Sequence, residues 1–331
     1  MPNTDPAASQ PVIAIDFGGT QIRAAVVDPG GEVRGLQFAE TGAGDDPAAV
    51  LARTGDTAQQ ALDAAGHAAS DCAALGVAAP GPLDYETGSI LRAPNIPGFE
   101  NIGVAAPLRE RFKLPTFLGN DANLAVLAEH EYGAGRGVND MVYVTVSTGV
   151  GAGILVDGEL LLGSTGNAGE VGHMTVDFHA PVHTSGNIGC VEQFSAGLGI
   201  ARYAEELLAG HPQSPLNTIF DERGELSARE VAAAARDGDA MANIAWDRAV
   251  RALGAGFVSF IHVLNPGLIV VGGGVANAGN LLLDPLREYV QMYAMPGFKE
   301  ELRIVPWTLG EKIGILGAAA WARRRLARAS L

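Results

Sequence analysis

The chain has 331 residues, of which 47% are hydrophobic and 18% charged, a balance typical of a globular protein with room for two domains. Its formal net charge of −15 disfavours nucleic acid and anionic lipid as partners, because like charges repel. Two cysteines cannot form a disulfide framework. We recognise neither a signal peptide nor an apolar run of membrane-spanning length, so we expect a cytoplasmic protein.

The first part of the chain predicts a strand-rich segment followed by alternating strands and helices. Apolar runs at Val12–Ile15, Ile22–Val27 and Glu32–Phe38 are separated by turns and predict a β-meander. The elements predicted after it are a helix at Asp46–His67, a buried strand at Ala74–Ala79, a helix at Leu108–Phe112, a strand at Thr116–Gly119 and a helix at Ala122–Tyr132.

The order strand, small-residue turn, strand, turn, strand then occurs a second time. Met141–Val146, Ala152–Val156 and Glu159–Leu162 are the predicted strands of this second copy. The elements predicted after it are helices at Leu198–Leu208, Ser227–Arg236 and Ala240–Leu264, a buried strand at Leu268–Val271 and a closing helix at Ile315–Leu326. This weak internal repeat predicts two related α/β lobes, with the ligand in the cleft between them.

The predicted lobes differ in size. Residues 12–121 and 314–331 are expected to form a smaller N-terminal α/β lobe that includes the C-terminal helix. Residues 122–313 are expected to form a larger α/β lobe.

Two small-residue turns in equivalent places of the repeat predict a phosphate site. The first holds Asp16, Gly18, Gly19 and Thr20, and the second holds Thr148 and Gly149. Glycines let the backbone approach a ligand, exposed N–H groups attract anions, and the Thr20 hydroxyl is a further donor. Asp16 is placed to hold Mg²⁺ or its water. Each turn alone is as well explained by an ordinary hairpin, so the prediction rests on the pair.

A third glycine-rich turn follows a buried strand. Gly273 and Gly274 belong to the run 272–275, outside the carboxyl end of a strand, which is where α/β folds bind nucleotides. The run is not the Gly-x-Gly-x-x-Gly loop of dinucleotide-binding proteins, so NAD is disfavoured. The chain also contains no Gly-x-x-x-x-Gly-Lys-Ser/Thr phosphate-binding loop.

Asp121 is the candidate catalytic residue. It stands between a predicted strand and a predicted helix, after Gly119 and Asn120. A carboxylate at this position could simply cap the helix. It could also be a general base that accepts the proton of a sugar hydroxyl during phosphoryl transfer, a reaction that needs mainly positioning and charge neutralisation.

Further polar residues are candidate sugar ligands. Asn95 lies in a Pro/Gly loop, Glu170 and His173 are three residues apart, and Glu192 follows. Amide, carboxylate and imidazole groups suit vicinal hydroxyls, since each hydroxyl both donates and accepts. Each of these residues taken singly is equally compatible with an ordinary surface position.

The ordered set of these motifs resembles the ROK family (repressors, open reading frames, kinases), and within it the bacterial glucokinases. The matching segments are 16–20, 79–82, 95–99, 119–123, 147–151, 169–173 and 272–275. The resemblance implies a two-lobed actin-like ATPase (ribonuclease H-like) fold, with ATP as phosphate donor and Asp121 as base. It implies that the Thr20 and Thr148 loops hold phosphates, and that a final helix returns to the N-terminal lobe. The implied sugar ligands are Asn95, Asn120, Asp121, Glu170, His173 and Glu192.

The chain departs from the family pattern at a zinc site. The family usually builds it from one His and three Cys, whereas this chain has His183 and Ser185 where two of those Cys would stand. His173, His183 and Cys190 remain as candidate ligands, and Ser185 is a poor one. His179 could supply a fourth ligand, but nothing in the sequence fixes its position. The sequence therefore gives candidate zinc ligands without a complete site.

Three functions are consistent with the sequence. The first is phosphorylation of glucose at its 6-hydroxyl with ATP and Mg²⁺. The second is the same chemistry on another hexose such as fructose, mannose or an N-acetylhexosamine, because pocket shape decides between them. The third is a non-catalytic sugar-responsive regulator, which the acidic charge and the 11 residues before Val12, too few for a helix-turn-helix, argue against. By resemblance we expect a homodimer or homotetramer.

Overall fold

A computed structural model describes residues 9–93 and 96–329. These residues form two compact units. The first unit contains the described residues up to 137, the segment 160–168 and the described residues from 308 onward. The second unit contains residues 138–159 and 169–307.

Most strands are short and lie close to their predicted positions. They are β1 (Val12–Phe17), β2 (Gln21–Val27), β3 (Val33–Glu40), β4 (Leu75–Ala79), β5 (Leu83–Asp84), β6 (Ser89–Arg92), β7 (Glu100–Gly103), β8 (Thr116–Asn120), β9 (Met141–Val146), β10 (Val150–Val156), β11 (Glu159–Leu160), β12 (Leu268–Gly272) and β13 (Arg303–Pro306).

The helices of the described residues are α1 (Pro47–Ala65), α2 (Ala105–Phe112), α3 (Asp121–Tyr132), α4 (Val191–Ser195), α5 (Gly197–Leu208), α6 (Leu216–Arg223), α7 (Ala228–Arg236), α8 (Ala240–Leu264), α9 (Asn280–Tyr293), α10 (Pro296–Lys299) and α11 (Ile313–Ala329). Short 3₁₀ turns lie at Ala69–Asp71, Val171–His173, Val275–Ala278 and Gly310–Lys312. Within the described ranges, no helix combines the length and the apolar character needed to cross a membrane.

Each unit contains a five-stranded mixed sheet, and the two sheets have the same strand order. The first sheet runs β3-β2-β1-β4-β8 and the second runs β11-β10-β9-β12-β13. In both, an antiparallel hairpin is followed by two parallel strands, β4 and β8 in the first and β12 and β13 in the second. This duplicated arrangement confirms the predicted actin-like ATPase fold.

The first sheet is buried because both of its faces are covered. Ile13 and Ile15 of β1 belong to an apolar cluster with Val50 and Leu62 of α1. The final helix α11 packs against β1 and β4, and the indole Nε1 of Trp321 donates a hydrogen bond to the Leu118 carbonyl at 3.0 Å. Strands covered on both faces read as nearly continuous apolar runs, which is why β1 and β4 were recognisable in the sequence.

Several elements were not predicted. The small antiparallel sheet β5-β6-β7 consists of strands of two to four residues with little alternation of apolar residues. Helix α9 contains Pro285, a residue that normally signals the end of a helix. Because of these features, the local sequence pattern predicts neither the small sheet nor helix α9.

The observed units also differ in their bounds from the predicted lobes. The predicted larger lobe begins at residue 122, whereas helix α3 lies in the first unit. It does so because α3 packs along α11, the helix that completes that unit. The chain re-enters the first unit at Thr308, before the predicted residue 314.

A buried carboxylate holds this re-entry point. Glu129 of α3 is 0% exposed and accepts four hydrogen bonds. Its donors are the Ala134 N–H at 2.8 Å, the Thr308 N–H and hydroxyl at 2.8 Å each, and the Leu309 N–H at 3.2 Å. The carboxylate therefore replaces the water that these backbone groups would otherwise bind, and it ties α3 to the segment leading into α11.

We expect Glu129→Gln to lower the free energy of unfolding by about 3 kcal/mol, because an amide turns its NH₂ toward buried donors and leaves them unsatisfied. Urea denaturation measures the change. Glu110→Gln, on the exposed side of α2, is the control and should shift the midpoint little. Equal midpoints for the two variants would contradict this role for Glu129.

Candidate functional site

The carboxyl ends of parallel strands bring predicted site residues of the first unit to one edge of its sheet. Asp16 of β1 pairs with Ala78 of β4, and Ala78 pairs with Gly119 of β8. Two strand spacings separate Asp16 from Gly119, or roughly 10 Å. The glycine turn after β1 and the Asn120–Asp121 junction after β8 therefore belong to the same edge.

The turn after β1 is a tight hairpin. The Gly18 N–H donates to the Gln21 carbonyl at 3.1 Å, and the Thr41 hydroxyl donates to the Gly18 carbonyl at 2.6 Å. Within the described part of the chain, the N–H groups of Gly19 and Thr20 have no acceptor. This leaves two adjacent backbone donors for an anion, as the sequence analysis expected of this turn.

The Asp16 carboxyl group lies against the first turn of the final helix. A Cβ added at Gly314 would come within 2.5 Å of it, so the close approach needs glycine at that position. Burial raises the pKa of Asp16 above its ordinary value, and the positive charge of Arg23 acts in the opposite direction. A half-buried carboxylate beside a turn with two unbonded backbone donors is chemically suited to hold Mg²⁺, which is usually bound by one or two carboxylates and substrate phosphates.

Asp121 is the first residue of helix α3 and is exposed. The helix is capped by Asn120, whose side-chain oxygen accepts the Asn123 N–H at 3.1 Å. The simpler interpretation of Asp121 as the cap is therefore wrong. One Asp121 oxygen accepts the Ala122 N–H at 2.7 Å, and the positive end of the helix favours the charged carboxylate.

Tyr85 supports this junction and was not predicted. Its hydroxyl accepts the Asn120 N–H at 3.3 Å and the Asn123 side-chain amide at 3.1 Å. The Tyr85 ring meets the Trp321 ring edge-on, with centroids 6.0 Å apart. The only sequence signal would have been an isolated Tyr in a turn. Its role depends on the small sheet that places it beside β8.

In the second unit, the second predicted turn is bonded to Glu192. The Val150 N–H donates to a Glu192 carboxylate oxygen at 2.9 Å, and the Ser147 N–H donates to the Gly149 carbonyl at 2.8 Å. A Cβ on Gly149 would lie 2.6 Å from the same carboxylate oxygen. Glu192, predicted as a sugar ligand, is thus fixed against the turn predicted to hold phosphate.

A cavity of about 810 Å³ lies in the second unit beside this turn. Its walls include Ser147 and Thr148 from the turn, Gly274 from the glycine run after β12, and Trp246 of α8. The structure therefore brings two of the predicted nucleotide-binding segments to one cavity large enough for a nucleotide. Gly149 and Gly273 are not part of its lining.

Gly273 instead shapes the wall from behind. It is buried with φ of 89°, and an added Cβ would lie 2.5 Å from the Val146 carbonyl oxygen. Only glycine adopts this conformation without strain and lets the chain pass so close to β9. Gly273 therefore has a structural role, the close approach of the chain to β9. Its predicted role in nucleotide binding stays a prediction.

The remaining predicted sugar ligands follow β10. Glu170 is exposed, and its carboxylate lies 3.8 Å from Nε2 of His173, beyond hydrogen-bond distance. Nδ1 of His173 is buried and has no hydrogen-bond partner among the described residues. Asn95 lies outside the described residues.

The three candidate zinc ligands do come together. The ligand atoms of His173, His183 and Cys190 lie within 4.8 Å of one another. Within the described residues no fourth His, Cys, Asp or Glu joins this group. The Ser185 hydroxyl lies 2.9 Å from Nδ1 of His183, where it serves as a hydrogen-bond partner of that ring. Three ligands do not fit a closed structural zinc site, which needs four N or S donors.

Comparison with known proteins identifies the family of this chain. The model of a family described as the ROK family matches residues 12–325. The chain belongs to the ROK family. The resemblance noted in the sequence is thereby confirmed over nearly the whole chain.

Relatives of the chain are named for different functions. The chain is 37% identical over 309 residues to a glucokinase of Halalkalibacterium halodurans, covering 92% of both chains. The crystal structure of a ROK family glucokinase from Streptomyces griseus in complex with glucose and AMPPNP is 32% identical, with a TM-score of 0.78 over 95% of this chain and 99% of that one. A xylose repressor of Caldicellulosiruptor bescii is 28% identical over 93% of this chain and 77% of the repressor.

We expect Tyr85→Phe to speed amide hydrogen exchange at residues 120–123 by about fivefold, the effect of losing roughly one neutral hydrogen bond. Exchange followed by mass spectrometry measures it. Tyr203→Phe, in the second unit, is the control and should leave this segment unchanged. Unaltered exchange in Tyr85→Phe would show that the hydroxyl does not hold the junction.

We expect Gly273→Ala to cost about 2 kcal/mol more unfolding free energy than Gly238→Ala, because overpacking adds to backbone strain. Gly238 is a matched control, since its φ is also 89° but no atom lies within 4 Å of an added Cβ. Chemical denaturation of the two variants gives the difference. Equal costs would mean that the approach to Val146 is not limiting.

Proposed function

We propose that this protein transfers the γ-phosphoryl group of ATP to the 6-hydroxyl of glucose. The observation that carries the proposal is Asp121, an exposed carboxylate at the start of α3, in a chain 37% identical to a glucokinase along 92% of its length. The cavity beside Thr148 and Gly274 in the second unit supports a nucleotide as co-substrate.

Asp121 acts as the general base. Its carboxylate accepts the proton of the 6-hydroxyl while that oxygen forms a bond to the γ-phosphorus, and the bond from the γ-phosphorus to the β,γ-bridging oxygen breaks to release ADP. The Ala122 N–H donates a hydrogen bond to one oxygen of this carboxylate at 2.7 Å. Asn120 contributes its side-chain NH₂ to the sugar, because its oxygen is occupied in capping the helix.

Backbone donors bind the phosphates, and a carboxylate would hold the metal ion. In the first unit, the N–H groups of Gly19 and Thr20, which have no acceptor among the described residues, supply donors for phosphate oxygens. In the second unit, the turn holding Thr148 supplies donors of the same kind. Asp16 would hold Mg²⁺, directly or through water. When bound, the ion supplies positive charge to the phosphate oxygens.

Glu170, His173 and Glu192 select the sugar. Their carboxylate and imidazole groups accept and donate to hydroxyls, and Glu192 is already fixed by the Val150 N–H. A polar site built for particular hydroxyls disfavours a sugar that lacks them, because the groups that would bind those hydroxyls are left unpaired.

A sugar-responsive regulator is the second candidate. It is favoured by the 28% identity to a xylose repressor. Such a protein would bind sugar without turnover and would also bind DNA, which the net charge of −15 disfavours.

A coupled assay of ADP release tests the choice of function. Mg-ATP is supplied with glucose, mannose, fructose, N-acetylglucosamine or N-acetylmannosamine. Preference for glucose is the expected result. Preference for another sugar would keep the mechanism and change the substrate, and absence of turnover with every sugar would favour the regulator.

We expect Asp121→Asn to lower kcat by at least about 100-fold, the usual contribution of a general base, while the Kd for glucose changes little. Steady-state kinetics and glucose titration measure the two quantities. Asp140→Asn, in the second unit, is the control variant. Turnover near the wild-type rate in Asp121→Asn would refute the assignment of the base.

A further inference from the structure

The segment from His173 to Cys190 folds back on itself, and its two ends carry candidate sugar-binding residues. Thr175 pairs with Cys190 near the base, where the Val176 N–H donates to the Gly189 carbonyl at 2.8 Å. His173 opens the segment, and Glu192 stands two residues beyond its end. Whatever holds this segment therefore also fixes the positions of two proposed sugar ligands.

Asn187 connects the two halves of the segment. Its side-chain amide donates a hydrogen bond to the His173 carbonyl. Its side-chain oxygen accepts the Ile188 N–H at 2.8 Å and the Thr175 hydroxyl at 3.3 Å. Its backbone carbonyl accepts the His183 N–H at 2.6 Å. One half-buried residue thus reaches three other parts of the segment.

The metal-ligand group in the same segment acts on a different part of His173. His173, His183 and Cys190 offer three ligand atoms, and Ser185 pairs with His183. A metal ion there would bind the imidazole ring, whose Nδ1 has no partner among the described residues. Asn187 binds the backbone carbonyl of the same residue. With three protein ligands instead of four, a metal ion would be held less firmly than in a closed site.

We propose that Asn187 is a positioning residue that holds His173 through these hydrogen bonds, so that sugar binding does not require a metal ion at His173, His183 and Cys190. The inference rests on the proposed role of His173 in binding sugar. The Asn187 side chain would then hold the segment in place, as a zinc site with four protein ligands would.

Two substitutions separate the contacts of Asn187. Asn187→Asp keeps an acceptor for Ile188 and Thr175 but loses the donor to the His173 carbonyl, whereas Asn187→Ala loses all three side-chain contacts. We expect Asn187→Ala to raise the KM for glucose about tenfold, the combined effect of losing these three contacts, with the KM for ATP unchanged. Asn187→Asp should raise it too.

Asn217→Ala is the matched control. Asn217 also donates from its amide to loop carbonyls, those of His211 and Ser214, but in another part of the second unit. The KM of the Asn217→Ala variant for glucose should equal that of the wild type. An unchanged KM for glucose in both Asn187 variants would overturn the proposal.

Chelation tests the independence from metal. The wild-type protein is dialysed against EDTA, its zinc content is measured, and glucose affinity is determined before and after adding Zn²⁺. We expect less than about a twofold change in affinity, within the effect of one weak contact. A large loss on chelation that Zn²⁺ reverses would overturn the proposal.

Hydrogen exchange gives a readout that does not depend on catalysis. Amides in 173–190 should exchange faster in Asn187→Ala and should be unaffected by EDTA in the wild type. If the protein phosphorylates none of the sugars tested, the proposed function fails while this measurement still decides whether Asn187 holds the segment. If EDTA speeds exchange in the wild type while Asn187→Ala does not, a metal ion and not Asn187 holds the segment.

Discussion

Parallel strands place their carboxyl ends at one edge of a sheet, and the candidate site depends on this constraint in each unit. In the first unit, β1, β4 and β8 deliver Asp16 and the Asn120–Asp121 junction to the same edge. In the second, β9 and β12 are parallel neighbours and deliver the Thr148 turn and the glycine run at 272–275. Residues more than a hundred positions apart in sequence lie at the same edge of a sheet because the order and direction of the strands place them there.

The positions of these turns are maintained by groups with no proposed part in the reaction. The buried Glu129 carboxylate ties helix α3 to the segment before α11, and α11 lies against the Asp16 carboxyl group through Gly314. Tyr85 holds the start of α3 by its hydroxyl. The exposed carboxylate of Asp121 at the start of this helix is therefore held in place by the firm packing of the rest of the helix.

The second unit supports its polar residues by hydrogen bonding. Glu192 is fixed by a backbone N–H of the turn it faces, and His173 is bonded through its carbonyl to Asn187. Both arrangements leave part of the side chain available for a ligand. The altered zinc ligands of this chain are therefore compatible with an ordered segment between His173 and Cys190.

The sequence by itself determined the strands of both repeats and the presence of glycine turns at strand ends, because these depend on local apolar pattern and turn chemistry. The order of the strands within each sheet was decided by the tertiary structure. The sequence also singled out Asp121, although it left open whether this residue caps the helix or acts as a general base. Only the tertiary structure decided that α3 belongs to the first unit, that Tyr85 and Glu129 support it, and that Asn187 reaches His173. These contacts join residues distant in sequence through single side chains, and one side chain leaves no periodic signal in its neighbours.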